Sequence, residues 1–356
     1  MKTLYYKIDR DNPDPQIISA AAAIIRSGAL VAFPTETVYG LGANGLDAAA
    51  VAKIFEAKGR PADNPLILHI ADRQELDALV TSAPDWLEPL LAKFWPGPFT
   101  VVLPCAAIVP EVVTAGLDTV AVRLPSLGAA RALIRASGVP IAAPSANLSG
   151  RPSPTTAEAV MADMEGRIAM VLDAGPCDVG LESTVLDCAS QPPTILRPGG
   201  VTEEMLEKCL TQVRSAGRLT EDDASVPRAP GMKYRHYAPA APLVLFPAGF
   251  AAAAEPVSDG LLLSALSAAI QSGKNVGAVV STELAARLPA GVSVATYGSR
   301  ECPEESAAGL YEALRFFDTH PVDVIFAEGV REEGIGRALM NRLYKAASSV
   351  GKGQED

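Results

Sequence analysis

The sequence is poor in the residues that announce a metal centre, a disulfide scaffold or a membrane segment. Its 356 residues include three histidines and five cysteines, and the cysteines (Cys105, Cys177, Cys188, Cys209 and Cys302) are odd in number and widely spaced. Neither a zinc knuckle nor an even disulfide framework is expected, and the thiols read as reduced. Aromatic residues make up 5% of the chain, so the core must be built from aliphatic side chains and alanine. No apolar stretch approaches the ~20 residues of a membrane helix. The opening Met1–Lys7 run carries no apolar leader segment, so a cytoplasmic protein with no membrane attachment is expected. Positive charge is also short: 30 Lys and Arg against 41 Asp and Glu give a net charge of −11. That balance argues against coating nucleic acid by charge alone, while leaving room for a local basic pocket.

What is present is globular. The apolar fraction is 49% and the charged fraction 20%, and the length is comfortable for two cores. Residues 15–28 carry Ile17, Ile18, Ala21, Ile24 and Ile25 on one helical face, with Gly28 as the stop. Residues 29–33 read as a buried strand, 48–58 as a helix, 66–70 as a strand, 73–80 and 86–92 as helices, and 99–104 as a strand. Further strands are expected at 120–124, 141–143 and 184–187, with helices at 127–137 and 155–164. The elements mix without strict alternation. The expectation is an α/β domain on a twisted, mixed sheet over residues 1–212.

Residues 214–230 (RSAGRLTEDDASVPRAP) have alternating charge and no apolar period, and so read as a linker. They lead into Gly231-Met-Lys-Tyr-Arg-His-Tyr-Ala-Pro239, too rich in specific side chains for a mere spacer. Residues 213–240 are assigned as linker and lid. Beyond them, strand-like runs at 243–246, 276–280, 292–297 and 322–327 alternate with helical ones. This is the βαβ pattern of a smaller Rossmann-like domain over residues 241–356.

Two runs concentrate groups that a core has no use for. Lys58-Gly-Arg60-Pro-Ala-Asp-Asn64-Pro-Leu-Ile-Leu-His69 sets two cations, an amide and an imidazole around prolines and a glycine. Pro144-Ser145-Ala-Asn147-Leu-Ser149-Gly150 packs hydroxyls and an amide into a turn. Guanidinium and ammonium groups bind polyphosphate oxygens through charge-assisted hydrogen bonds. The bland alternatives are a positive helix terminus complementing its dipole and a side-chain-capped turn. Pro34-Thr-Glu-Thr37-Val-Tyr-Gly40 reads either as a plain turn or as a polar pocket mouth. Arg123, embedded in the apolar run Val120–Pro125, must find an anion or lie at an open strand end. A ligand carboxylate is one candidate, and Asp118 or a core-edge salt bridge is the structural alternative. Gly180-Leu-Glu-Ser183-Thr and Ile195-Leu-Arg197-Pro-Gly199-Gly200 repeat the theme of strand end, hydroxyl or arginine, and glycine. None matches a P-loop or a dinucleotide fingerprint. Dispersed cations and hydroxyls favour catalysis by positioning and charge neutralisation, as in phosphoryl and nucleotidyl transfer.

In this order, the runs FPTETVYGLG, KGRPADNPLILHI, FWPGPFTVVL, VAVRLP, APSANLSG, ESTVLD and ILRPG resemble the YrdC-like family of L-threonylcarbamoyladenylate synthases. PGMKYRHYAP and GIGRALMNRLYKAAS resemble its longer, two-domain branch. The resemblance implies that L-threonine, bicarbonate or CO2, and ATP with Mg2+ give threonylcarbamoyl-AMP and pyrophosphate. The product would pass to a tRNA threonylcarbamoyltransferase complex for t6A modification at tRNA position 37, with a tRNA contact by this chain an open matter. It also implies ATP contacts from Lys58, Arg60, Asn64, Thr119, Ser145, Asn147, Ser153 and Arg197, with Lys58 and Arg60 acting on the reacting phosphates. Threonine would be held by Thr37, His69, Arg123, Ser183 and the Ala143 backbone. Tyr234, Arg235 and His236 would form the lid, with Tyr234 and His236 reaching the nucleotide. No protein ligand of the metal is named by the resemblance. Two alternatives stay open at this point: a related carbamoyl-adenylate-forming enzyme, and an RNA-binding or ribosome-assembly module.

Overall fold

The computed structural model describes residues 2–215, 236–247 and 257–351, with only the backbone for Val257 and Ser258. The chain forms two compact units, Met1–Ser149 with Ser153–Tyr234, and Gly150–Pro152 with Arg235–Asp356.

In the first unit the strands are β1 (Leu4–Lys7), β2 (Val31–Phe33), β3 (Gly40–Asn44), β4 (Ile67–His69), β5 (Phe99–Pro104) and β6 (Thr119–Arg123). They continue with β7 (Ile141–Ala142), β8 (Met170–Asp173), β9 (Thr184–Asp187), β10 (Thr194–Arg197) and β11 (Arg214–Ser215). Among the described residues these eleven make one sheet, in the order β1-β8-β2-β3-β7-β4-β6-β5-β9-β10-β11. The sheet is mixed: β4 runs parallel to β6 and β5 to β9, whereas β5 and β6 are antiparallel.

Side chains alternate between the two faces of a strand, and the core follows that period. Ala32, Leu41, Leu68, Val101, Val120, Val122, Ala142 and Val171 enter one large cluster with the helices Ala48–Lys58 and Leu87–Phe94. Val31, Phe33, Ile141, Met170 and Leu172 face the other way, onto the helices Pro15–Arg26 and Gly128–Ser137. Further along that second face the cover shrinks to Ile67, Val102, Ala121, Val185 and Leu196. Among the described residues no helix contributes to this small cluster, and the polar groups described below stand on the same face.

The expected strands all occur within two residues of their expected ends. One element differs in kind: residues 73–80, expected as an α-helix, contain a 3-10 helix over Arg73–Ala78. β1, β3, β8, β11 and the Ser349–Val350 strand of the second unit were not expected from the sequence, and β11 corrects the linker reading, because Arg214–Ser215 extends the sheet by pairing with β10.

The second unit carries β12 (Leu243–Phe246), β13 (Val276–Val280), β14 (Ser293–Thr296), β15 (Val324–Glu328) and β16 (Ser349–Val350), all parallel, in the order β14-β13-β15-β12-β16. Helices including Val257–Gln271, Pro303–Arg315 and Ile335–Ala346 alternate with the strands, giving the expected Rossmann-like pattern. No helix among the described residues is long and apolar enough to cross a membrane.

Candidate active site

One row of polar side chains crosses the lightly covered face. His69 ends β4 and is the register partner of Arg123, which ends β6. Arg123 is in turn paired with Thr100 of β5. All three sit two residues from a member of the small apolar cluster (Ile67, Ala121 and Val102 respectively), so the strand period places them on its face. Thr100 Oγ1 lies 2.7 Å from Ser183 Oγ. Arg197, the last residue of β10, donates from Nε to Ser183 O (3.1 Å) and from Nη2 to Ser183 Oγ (3.2 Å). The row therefore reads His69, Arg123, Thr100, Ser183, Arg197. Gly199 makes the turn beyond it feasible. A Cβ there would stand 2.3 Å from Thr184 N and 2.4 Å from Glu182 O, distances no side chain tolerates.

Arg123 is 4% exposed and donates from Nη2 to Glu36 Oε1 at 2.6 Å, from Nη1 to Thr37 Oγ1 at 2.8 Å and from Nε to Gly97 O at 3.3 Å. Its anion is thus Glu36, 87 residues away, whereas Asp118 is exposed. Glu36 Oε2 accepts the Ser126 backbone N–H at 3.1 Å. His69 is buried against the edge of Phe33. Burial, followed by the Arg123 charge, lowers its pKa to about 3, and Arg197 acts in the same direction. His69 is therefore neutral at physiological pH, and its Nδ1 has no partner among the described residues.

A second group lies at the exit of the helix Ala48–Lys58, whose C-cap Gly59 is left-handed. The buried Lys58 ammonium donates to Ser145 O (2.5 Å) and Asn147 O (2.7 Å), and Ser145 Oγ donates to Asn147 Oδ1 (2.6 Å). Arg60 turns back to the carbonyls of Asn64 and Pro65 at 3.2 and 3.4 Å, and Asn64 is buried with Oδ1 lacking a partner among the described residues.

The two groups are joined through β7. Ala143, two residues beyond Ile141, donates its backbone N–H to Ile67 O at 3.0 Å, and Ile141 is the register partner of His69. Ser145 follows Ala143 by two residues, at most about 7 Å of chain. Ser153 joins from another side, its hydroxyl 2.6 Å from Glu182 Oε1, beside Ser183. Thr119 shares the face of Arg123 but starts β6, about 13 Å away along the strand.

The structure thus brings Thr37, His69, Arg123, Ala143, Ser183 and Arg197 into one neighbourhood, with Lys58, Ser145, Asn147 and Ser153 attached to it. Tyr234 and Arg235 lie outside the described residues. His236 belongs to the second unit, with its ring 5.7 Å from that of Tyr237. The sequence offers no signal for Thr100, and places Thr35, Glu36 and Glu182 in polar motifs without individual roles. The demand of a buried arginine for an anion points to a core-edge salt bridge, but only the fold shows that Glu36 supplies it.

Fold and site together define an α/β protein that gathers cations and hydroxyls on one face of its sheet. The comparisons are more specific. The Telomere recombination model (Sua5, YciO and YrdC) matches residues 23–199, and the model of the threonylcarbamoyl-AMP synthase C-terminal domain matches residues 201–348. Threonylcarbamoyl-AMP synthase of Bacillus subtilis is 50% identical over 94% of this chain and 93% of its own length. The Pyrococcus abyssi protein of that name is 47% identical over 93% and 94%. A crystal structure of P. abyssi Sua5 complexed with L-threonine matches with a TM-score of 0.91 and 45% identity, covering 98% of this chain and 99% of that one. The chain belongs to the Sua5, YciO and YrdC family and carries the C-terminal domain of its threonylcarbamoyl-AMP synthases.

Proposed function

We propose that this protein forms threonylcarbamoyl-AMP from L-threonine, bicarbonate or CO2, and ATP. The observation that carries the reading is the continuous row from His69 to Arg197, with Thr37 bonded to Arg123 and the Lys58 ammonium on the adjoining loop. Full-length relatives bearing the synthase name and a threonine-bound structural neighbour support it.

In the proposed reaction the threonine amine captures CO2 as a carbamate, releasing a proton. A carbamate oxygen then attacks the α-phosphorus of ATP, and the bond from that phosphorus to the bridging oxygen of pyrophosphate breaks. Arg123 would hold the threonine carboxylate, with Thr37, His69, Ser183 and the Ala143 backbone around the rest of the amino acid. Lys58, Arg60 and Arg197 would offset charge at the α-phosphate and the leaving pyrophosphate, with Lys58 and Arg60 nearest the chemistry. Asn64, Thr119, Ser145, Asn147 and Ser153 would complete the nucleotide contacts. Neutral His69 would accept or donate a hydrogen bond without adding a further cation beside an amine that must lose its proton.

Mg2+ fits as the companion of the triphosphate. The side chains at the Lys58 end include cations, amides and hydroxyls, with the buried Asp163 carboxylate accepting from Leu148 N, and the described residues hold no group of three His, Cys, Asp or Glu that would cage a metal. When bound, the ion would screen the phosphate oxygens. A carbamoyl-adenylate is an activated, water-sensitive mixed anhydride, so a tRNA-modifying transferase in the same compartment, the cytoplasm, is the fitting consumer.

Pyrophosphate release from MgATP, measured with threonine and bicarbonate each omitted in turn, tests the reading. Release that needs both supports it. Release that ignores threonine removes it.

A further inference from the structure

The run Thr35-Glu36-Thr37 contains more order than substrate contact requires. Thr35 Oγ1 lies 2.7 Å from Val38 O, an atom that can only accept, so the Thr35 hydroxyl hydrogen is committed there. Thr35 Oγ1 also lies 2.8 Å from Thr37 Oγ1. With its own hydrogen spent, Thr35 must accept, and Thr37 must donate. The backbone N–H groups of Thr37 and Val38 share the other lone pair of Thr35 Oγ1 at the longer distances of 3.2 and 3.3 Å. Thr37 Oγ1 in turn accepts from Arg123 Nη1 at 2.8 Å. A hydroxyl has one hydrogen and two lone pairs, so Thr37 retains a single lone pair and nothing to donate.

Arg123 is polarised the other way. Of the five N–H donors of a guanidinium, one goes to Gly97 O, one to Thr37 and one to Glu36. Two have no partner among the described residues, enough for one carboxylate. Glu36 is fixed from its other oxygen by Ser126 N, so it locks the guanidinium plane.

We propose that Thr35 and Glu36 are positioning residues that give adjacent groups opposite polarity toward the amino acid: Thr37 accepts only, and Arg123 donates only. The inference rests on the threonine reading of this site and deepens it. A threonine entering carboxylate-first toward Arg123 places a hydroxyl or amine hydrogen against the Thr37 lone pair. The reversed molecule sets carboxylate lone pairs against it and is rejected, specificity by a repulsive contact. Neither Thr35 nor Glu36 need touch the substrate.

The test is calorimetric binding by the full chain of L-threonine, L-2-aminobutyrate (no hydroxyl) and (R)-3-hydroxybutyrate (no amine), using the unaltered protein, Thr35→Val and Thr35→Ser. Loss of one oriented hydrogen bond should weaken L-threonine by about 3- to 10-fold in Thr35→Val, with Thr35→Ser close to the unaltered protein. The weakening should vanish for whichever analogue lacks the group that Thr37 accepts. Unchanged affinity in Thr35→Val, or an equal loss for all three ligands, overturns the inference. Should Thr35→Val not fold, Thr37→Val, which deletes the accepting oxygen, is read with the same ligands: loss confined to one donor group supports the polarity, and equal loss overturns it. An unaltered protein that binds no L-threonine would instead sink the substrate reading, and this inference with it.

Discussion

His69 and Arg123 stand side by side as register partners on the parallel strands β4 and β6, both buried and both on the face that bears Ser183 and Arg197. A neutral imidazole beside a guanidinium is the arrangement that burial enforces here, because two adjacent buried cations would each lose solvation and repel. The pairing makes His69 a reporter of the site's electrostatics.

The pKa of His69 is lowered to about 3 by burial and then by Arg123, against an ordinary value near 6.5. Between those two values the unfolded chain binds a proton that the folded chain refuses, so stability falls as the pH drops through this window. Taking the protein from pH 7.5 to pH 5 should cost about 2 kcal/mol through this residue. Urea titrations at the two pH values check it. His69→Gln should show a correspondingly shallower drop.

The Glu36–Arg123 pair is 6% and 4% exposed at the side chains. Removing one member of a buried pair leaves the other without compensation, which costs about 3–5 kcal/mol. Arg123→Met should therefore destabilise by that order in chemical denaturation. Glu36→Gln, which keeps an acceptor for the guanidinium, should cost less, and the double variant should cost clearly less than the two singles added.

Lys58 is held by two backbone carbonyls of the Ser145–Asn147 loop. Its compact ammonium suits that cradle, and a planar guanidinium does not. Lys58→Met should lower ATP-dependent pyrophosphate release by roughly 100-fold or more, and Lys58→Arg should fail to restore it. A thermal melt distinguishes lost chemistry from lost fold.

Gly199→Ala tests the close approach behind the Ser183–Arg197 contact. The added methyl meets the backbone of Glu182, Ser183 and Thr184 within 2.5 Å, and backbone cannot swing aside as a side-chain tip can. Overpacking of this kind costs about 1–3 kcal/mol. The variant should also bind L-threonine more weakly, since Ser183 and Arg197 must shift. Equilibrium unfolding and calorimetry read the two effects separately.

The motif residues and most of the hydrophobic strands, though not the buried β8, were legible because each carries a local signal: a cation where a core wants none, or an apolar run between breakers. β1 was not, since Leu4–Lys7 is exposed along its whole length and the alternation that betrays a half-buried strand is missing. β3 was hidden by composition, because Gly40-Leu-Gly-Ala-Asn44 has two glycines and no β-branched residue. The long-range polar pairs were beyond sequence reasoning for a different cause. Arg123 with Glu36, Thr100 with Ser183 and Ser153 with Glu182 are separated by 87, 83 and 29 residues, and only the strand order brings them together. The expectation of a Rossmann-like second unit held because parallel βαβ alternation leaves a regular imprint on the chain.

The central claim is that this single sheet face receives an amino acid and a nucleotide side by side. A crystal structure of the protein with L-threonine and a non-hydrolysable ATP analogue tests it most directly. The account predicts the threonine carboxylate on the two remaining Arg123 donors, close to Ser183, and the phosphates at Lys58, Arg60 and Arg197 in the same cleft. Threonine bound away from Arg123, or the nucleotide on another face of the sheet, would contradict it.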